Sequence, residues 1–89
     1  MEPNRVLTKK NDVLEAEVDG ERVLMSGTEF KYFGLVGTGE IVWDRIDGTM
    51  SLDALVRSLA AEFSADEAQV RSDVTDFVSA LDAAGLLEA

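Results

Sequence analysis

Leu14, Ala16 and Val18 alternate with Glu15 and Glu17, the period of two expected of a strand with one covered face. Asp19-Gly20 follows, a pair suited to a type I′ hairpin, whose two central residues both need positive φ. Glu21 to Ser26 returns as a second strand with Val23 and Met25 on one face. Gly27-Thr28 makes the next turn, and Phe30 to Leu35 reads as a third strand. The pattern predicts a three-stranded antiparallel meander.

The period then changes to that of helices. Thr38 is placed to cap a helix running from Gly39 towards Asp47, with Gly48 as its stop. Ser51 precedes Leu52, Leu55, Val56, Leu59, Ala60 and Phe63, which form one apolar stripe along a second helix. Ser64 and Glu67 have the spacing of a capping box opening a third helix. Val70, Val74, Phe77, Val78 and Leu81 line that helix, and Gly85 ends it, with Leu86 placed for a Schellman contact to Leu81. Residues 1–11 are polar and aperiodic, hold the only proline (Pro3), and are expected to form a flexible N-terminal arm. Residues 12–89 are expected to form one α+β domain, a small sheet with three helices packed on it.

Composition removes most chemistry. With no histidine and no cysteine among 89 residues, imidazole catalysis, thiolate nucleophiles, disulfides and Cys/His metal sites are all excluded. The carboxylate pairs Glu62/Asp66 and Asp73/Asp76 fall on outer helix faces, where such groups are ordinarily solvated. Asp44, Asp47 and Gly48 do not match a calcium loop. Gly34, Gly37 and Gly39 lead into a helix but lack the dinucleotide order and a P-loop lysine, so they serve a sharp strand-to-helix turn. No enzyme, metal or cofactor is expected. A formal charge of -10 opposes nucleic-acid binding. No apolar run is long enough for a membrane span, and no targeting segment is visible, which makes the cytoplasm the expected location.

Trp43 is expected in the core. Tyr32 and Phe33 are different, because successive strand residues point to opposite faces and cannot both enter one core. One face of the third strand must therefore show an aromatic surface to an arm, a loop or a ligand.

The ordered set Tyr32-Phe33-Gly34-Leu35, Ile41-Val42-Trp43, Ile46-Asp47-Gly48, Ser51 to Val56, Asp73 to Val78 and Gly85-Leu86-Leu87 resembles the PqqD-like family. These are precursor-recognition elements of ribosomally made, post-translationally modified peptide pathways, and the likeness runs from about Val13 to Leu87. It is nearest to the stand-alone recognition proteins of lasso-peptide pathways. One departure is Leu35-Val36, where relatives commonly have Leu-Asn, so a local turn is built differently here.

The resemblance implies a winged helix-turn-helix-like fold and a non-catalytic chaperone that captures the leader segment of a precursor peptide. It implies delivery of that leader to a cognate processing enzyme such as a peptidase, cyclase or radical enzyme. The leader would add a strand in the groove between the third strand and the third helix. Carried onto this chain, the peptide-binding residues are Phe30, Lys31, Tyr32, Phe33, Gly34 and Leu35, facing Val70, Asp73, Val74 and Phe77. A monomer is expected, or a weak dimer paired through the open sheet edge.

Two other classes stand beside this one. A winged-helix regulator would share the topology, but its recognition helix would carry Arg71 among Asp66, Glu67, Asp73 and Asp76. A small acidic carrier protein would need an aspartate before Ser51, where Met50 stands.

Overall fold

The computed structural model describes Glu2, residues 4–27 and residues 31–88. Three strands, β1 (Val13–Val18), β2 (Glu21–Ser26) and β3 (Tyr32–Leu35), form an antiparallel sheet in the order β1-β2-β3. Three helices follow, α1 (Thr38–Arg45), α2 (Leu52–Glu62) and α3 (Glu67–Ala83). The architecture is the expected one.

Asp19 (φ 52°) and Gly20 (φ 82°) make the β1–β2 turn with positive φ at both positions, setting Val18 opposite Glu21. That register fixes the two faces of the sheet. Leu24, Phe33 and Leu35 point inward and join Trp43, Ile46, Leu55, Val56, Val78 and Leu81 in one apolar core. Arg22 shares the inner face at its margin and reaches α1, where Nη1 donates to Asp44 Oδ1 at 2.6 Å. Trp43 is fully buried, as its type and surroundings predicted, with the Lys9 ammonium 4.5 Å from the ring centroid.

Helix ends follow local chemistry, with two corrections. Ser51 Oγ accepts from the Ala54 N–H at 3.1 Å and opens α2, as expected. At the end of α3, Leu86 N–H donates to Leu81 C=O and Gly85 N–H to Asp82 C=O, the paired bonds of a Schellman motif. Thr38, however, lies inside α1; the residue before it is Gly37 at φ 56°, with no side-chain cap. The Ser64–Glu67 capping box is also not made. Ser64 sits at φ 50° and donates its N–H to Ala61 C=O, while Ala65 N–H donates to Ala60 C=O. Ser64 thus closes α2 and is unavailable to open α3, which starts after Asp66 without a side-chain cap.

Residues 5–10, expected as part of a loose arm, are laid against the body. Leu7 is 1% exposed and belongs to the core. Its N–H donates to Met50 C=O and its C=O accepts from Gly48 N–H, while Lys10 N–H donates to Leu86 C=O. Arg5 adds a two-pronged contact to the Asp82 carboxylate at 2.6 and 2.8 Å. This extended segment gains its place through backbone pairing around one inward leucine, a pattern without apolar periodicity.

Candidate functional site

Both β1 and β3 are edges of the sheet, and β3 has a helix side chain, Phe77, against it. The hydrogen-bonding phase of β3 follows from one bond: Ser26 N–H donates to Lys31 C=O at 3.0 Å. Antiparallel pairs alternate, so Phe33 and Leu35 bond to Leu24 and Arg22. The N–H and C=O groups of Tyr32 and Gly34 consequently point away from β2. Among the described residues, those four groups face an unoccupied edge, the geometry that an added strand requires.

Side chains take the complementary phase. Tyr32, 74% exposed, stands on the outer face, where Gly34 leaves open space. Phe33 turns inward and meets the Phe77 ring edge-on, with centroids 5.8 Å apart and planes at 73°. Leu35 is buried in the core. Lys31 reaches α3 with its ammonium, donating to Ala83 C=O at 3.2 Å. Of the expected strand residues, Phe30 lies outside the described residues.

Val70, Asp73, Val74 and Phe77, the α3 positions that the family resemblance implies, all line one cavity of about 260 Å³. Its opposite wall is a departure. Thr38, Gly39, Ile41 and Val42 of α1 and Leu59, Phe63 and Ala65 at the end of α2 enclose it, and no β3 residue does. Phe77 is the ridge between the two features, touching Phe33 on one side and lining the cavity on the other.

Sequence reading missed the α1 and α2 walls. A usable signal was Ile41-Val42-Trp43, three consecutive apolar residues on an eight-residue helix. Such residues spread around a helix and cannot all face one core. Trp43 and Val42 are buried, and half-buried Ile41 is left to the cavity. Gly39 matters for closeness: a Cβ there would stand 3.1 Å from Phe77 Cε1.

The lining is almost entirely apolar, and Asp73 is its only charged member, accepting from Gln69 Nε2 at 3.0 Å. Asp53 on α2 binds Arg71 of α3 at 2.6 Å, and that hydrogen bond, with the nearby Arg57 and Arg71 charges, holds its carboxyl below the usual range. Among the described residues no group of three or more acidic or other ligating side chains is placed to hold a metal ion. None of the described helices is long and apolar enough to cross a membrane.

The family model described as Coenzyme PQQ synthesis protein D (PqqD) matches residues 21–87. The chain is 32% identical to a solved structure titled TbiB1 in complex with the TbiA(beta) leader peptide, with a TM-score of 0.77 over 92% of this chain and 95% of that one. A lasso peptide synthetase B1 complexed with the leader peptide shares the fold, with a TM-score of 0.76 at 19% identity over 94% of this chain and 99% of that chain. The PqqA binding protein of Xanthomonas euvesicatoria pv. vesicatoria is 46% identical over 41 residues, a match spanning 46% of this chain and 45% of that protein.

Proposed function

The chain belongs to the PqqD family, and from that premise we propose that it is a non-catalytic adaptor that binds the leader segment of a ribosomally made precursor peptide and presents it to a processing enzyme. The observation that carries this reading is the free β3 edge, with the outward N–H and C=O groups of Tyr32 and Gly34, beside the Phe33–Phe77 contact and the apolar cavity. The leader-bound relative supports it, being similar over nearly its whole length.

Magnitudes divide the work between edge and cavity. Four backbone bonds at about 0.5–1.5 kcal/mol each give roughly 2–6 kcal/mol net. Ordering a flexible peptide costs about 2–5 kcal/mol or more, so the edge alone barely holds it. Affinity and selection come from apolar leader side chains against Phe77 and in the cavity, at about 25 cal/mol per Å² removed from water. Asp73 at the cavity wall favours a leader with a hydrogen-bond donor or a cation next to its apolar anchor.

Tyr32→Pro tests the edge. The lost N–H is one that β2 does not use, so the sheet tolerates proline there while the leader loses a donor. Leader affinity measured by fluorescence polarisation is expected to fall at least tenfold in Tyr32→Pro and much less in Tyr32→Ala. Equal affinity in the proline variant and the unaltered chain, with the fold intact by circular dichroism, would rule out strand addition at β3.

A further inference from the structure

The sheet has a second free edge, β1, and leader binding at β3 leaves it open. Asp19 and Gly20 form a two-residue turn, so Val18 and Glu21 make the hydrogen-bonded pair that closes the hairpin. Alternation then pairs Ala16 with Val23 and Leu14 with Met25, and the Gly27 N–H bond to Asp12 C=O continues the series. The N–H and C=O groups of Glu15 and Glu17 therefore point away from β2. Among the described residues those four groups face an unoccupied edge.

The side chains of the same two residues carry the charge. Glu15 and Glu17 lie opposite Leu24 and Arg22, on the sheet face that bears the core, yet both are exposed at its margin. Arg22 beside them is already held by Asp44 of α1 at 2.6 Å and by Glu40 at 3.5 Å. The Asp44 hydrogen bond leads in raising the Arg22 pKa, and the charges of Glu40 and Glu15 add to it. Glu17 shares a polar cleft with Arg22 and Glu40. Negative charge thus exceeds positive along the one stretch of β1 whose backbone is open to pairing.

We infer that the β1 edge receives an extended segment of a partner protein in which lysine or arginine alternates with apolar residues. Backbone and charge choose that occupant together. In a strand added antiparallel to β1, the residues directly opposite Glu15 and Glu17 fall on the same face as these carboxylates. A cation at each position pairs with a glutamate and offsets the excess charge around Arg22, whereas a carboxylate is repelled. The residues between them point to the other face, beside the apolar side chains of Leu14, Ala16 and Val18.

A second copy of this chain fits badly. Depending on register, β1 paired antiparallel with its own copy sets Glu15 against Glu17, or each glutamate against itself. Every such arrangement opposes like charges, so the glutamates guard the edge against self-association while admitting a basic strand. The β3 edge lies on the far side of β2, which leaves both edges open to occupation at once. The inference stands apart from the leader-adaptor reading and requires no leader.

The test is NMR titration of the full chain at low ionic strength with two synthetic heptapeptides. One alternates lysine with valine, the other glutamate with valine. The lysine peptide is expected to slow amide exchange at Glu15 and Glu17, with little change at Ala16 and Val18, whose amides already bond to β2. Added salt should weaken its binding, and the glutamate peptide should leave the spectrum unchanged. Glu15→Gln/Glu17→Gln alters two exposed side chains, and thermal melting checks the fold. It is expected to raise the lysine-peptide Kd at least tenfold, and Glu15→Lys/Glu17→Lys to reverse the preference between peptides. Unchanged exchange at Glu15 and Glu17 with the lysine peptide in excess would overturn the inference, as would equal affinity for the two peptides. So would protection confined to Tyr32 and Gly34, or sedimentation of the unaltered chain as a dimer that protects the β1 edge amides by itself. A chain that binds no leader refutes the adaptor reading and leaves this result as it stands.

Discussion

Phe33 and Phe77 meet edge-on across the boundary between β3 and α3, with ring centroids 5.8 Å apart. Through this contact one helix side chain serves two features, the strand edge on one side and the apolar cavity on the other.

Removing the ring should therefore cost binding more than folding. Phe77 is only half-buried, so Phe77→Ala should lower unfolding free energy by about 1–3 kcal/mol, less than the 3–5 of a fully buried phenylalanine. Leader affinity should fall more than tenfold. Gly39→Ala is the finer probe, because the added methyl stands 3.1 Å from Phe77 Cε1 and must displace the ring. Helix propensity gained, up to about 1 kcal/mol, offsets the crowding. Calorimetry of unfolding should thus show a near-neutral change while titration with leader shows weaker binding.

Ser64 occupies a left-handed position that closes α2, at φ 50°. A side chain there costs about 1–2 kcal/mol relative to glycine. Ser64→Gly should raise the melting temperature by several degrees, since about 1 kcal/mol moves a domain of this size by roughly 4–8 °C. An unchanged or lower melting temperature would show that the serine hydroxyl compensates for its backbone.

The acid limb of stability should be set by Asp47 and Asp53. Hydrogen bonds from the Thr49 hydroxyl and N–H lower the first, and the Arg71 hydrogen bond, aided by Arg57, lowers the second, both from an ordinary 3.8. A carboxylate whose folded pKa is depressed stabilises above its unfolded pKa, and that contribution is lost as pH falls through the folded value. With no histidine or cysteine, no side chain titrates ordinarily between about pH 5.5 and 8. Melting temperature should be flat across that range and fall below about pH 4. Asp53→Asn should melt lower than the unaltered chain at pH 7 and approach it towards pH 3.

Much of this fold was legible because its signals are local. Asp19-Gly20 fixes a hairpin by backbone preference alone, and Ser51 with its stripe from Leu52 to Ala60 marks α2 without help from the rest of the chain. Leu86 found its contact with Leu81 for the same reason. Ser64 was misassigned because one residue stood at the junction of two helices, and closing α2 prevailed over opening α3. Leu7 was invisible because an extended segment held by backbone bonds needs only one apolar side chain. Helical period put Val70, Val74 and Phe77 on one stripe of α3 and the family resemblance named them, with Asp73, as site residues, whereas the α1 wall depends on tertiary closure around Gly39 and Phe77.

Strand addition at β3 is tested most directly by amide hydrogen exchange, followed by NMR with and without saturating cognate leader. Phe33 and Leu35 amides already bond to β2, whereas Tyr32 and Gly34 amides face outward. Leader binding should slow exchange at Tyr32 and Gly34 well beyond any change at Phe33 and Leu35. Unchanged exchange at Tyr32 and Gly34 under saturation would contradict the account.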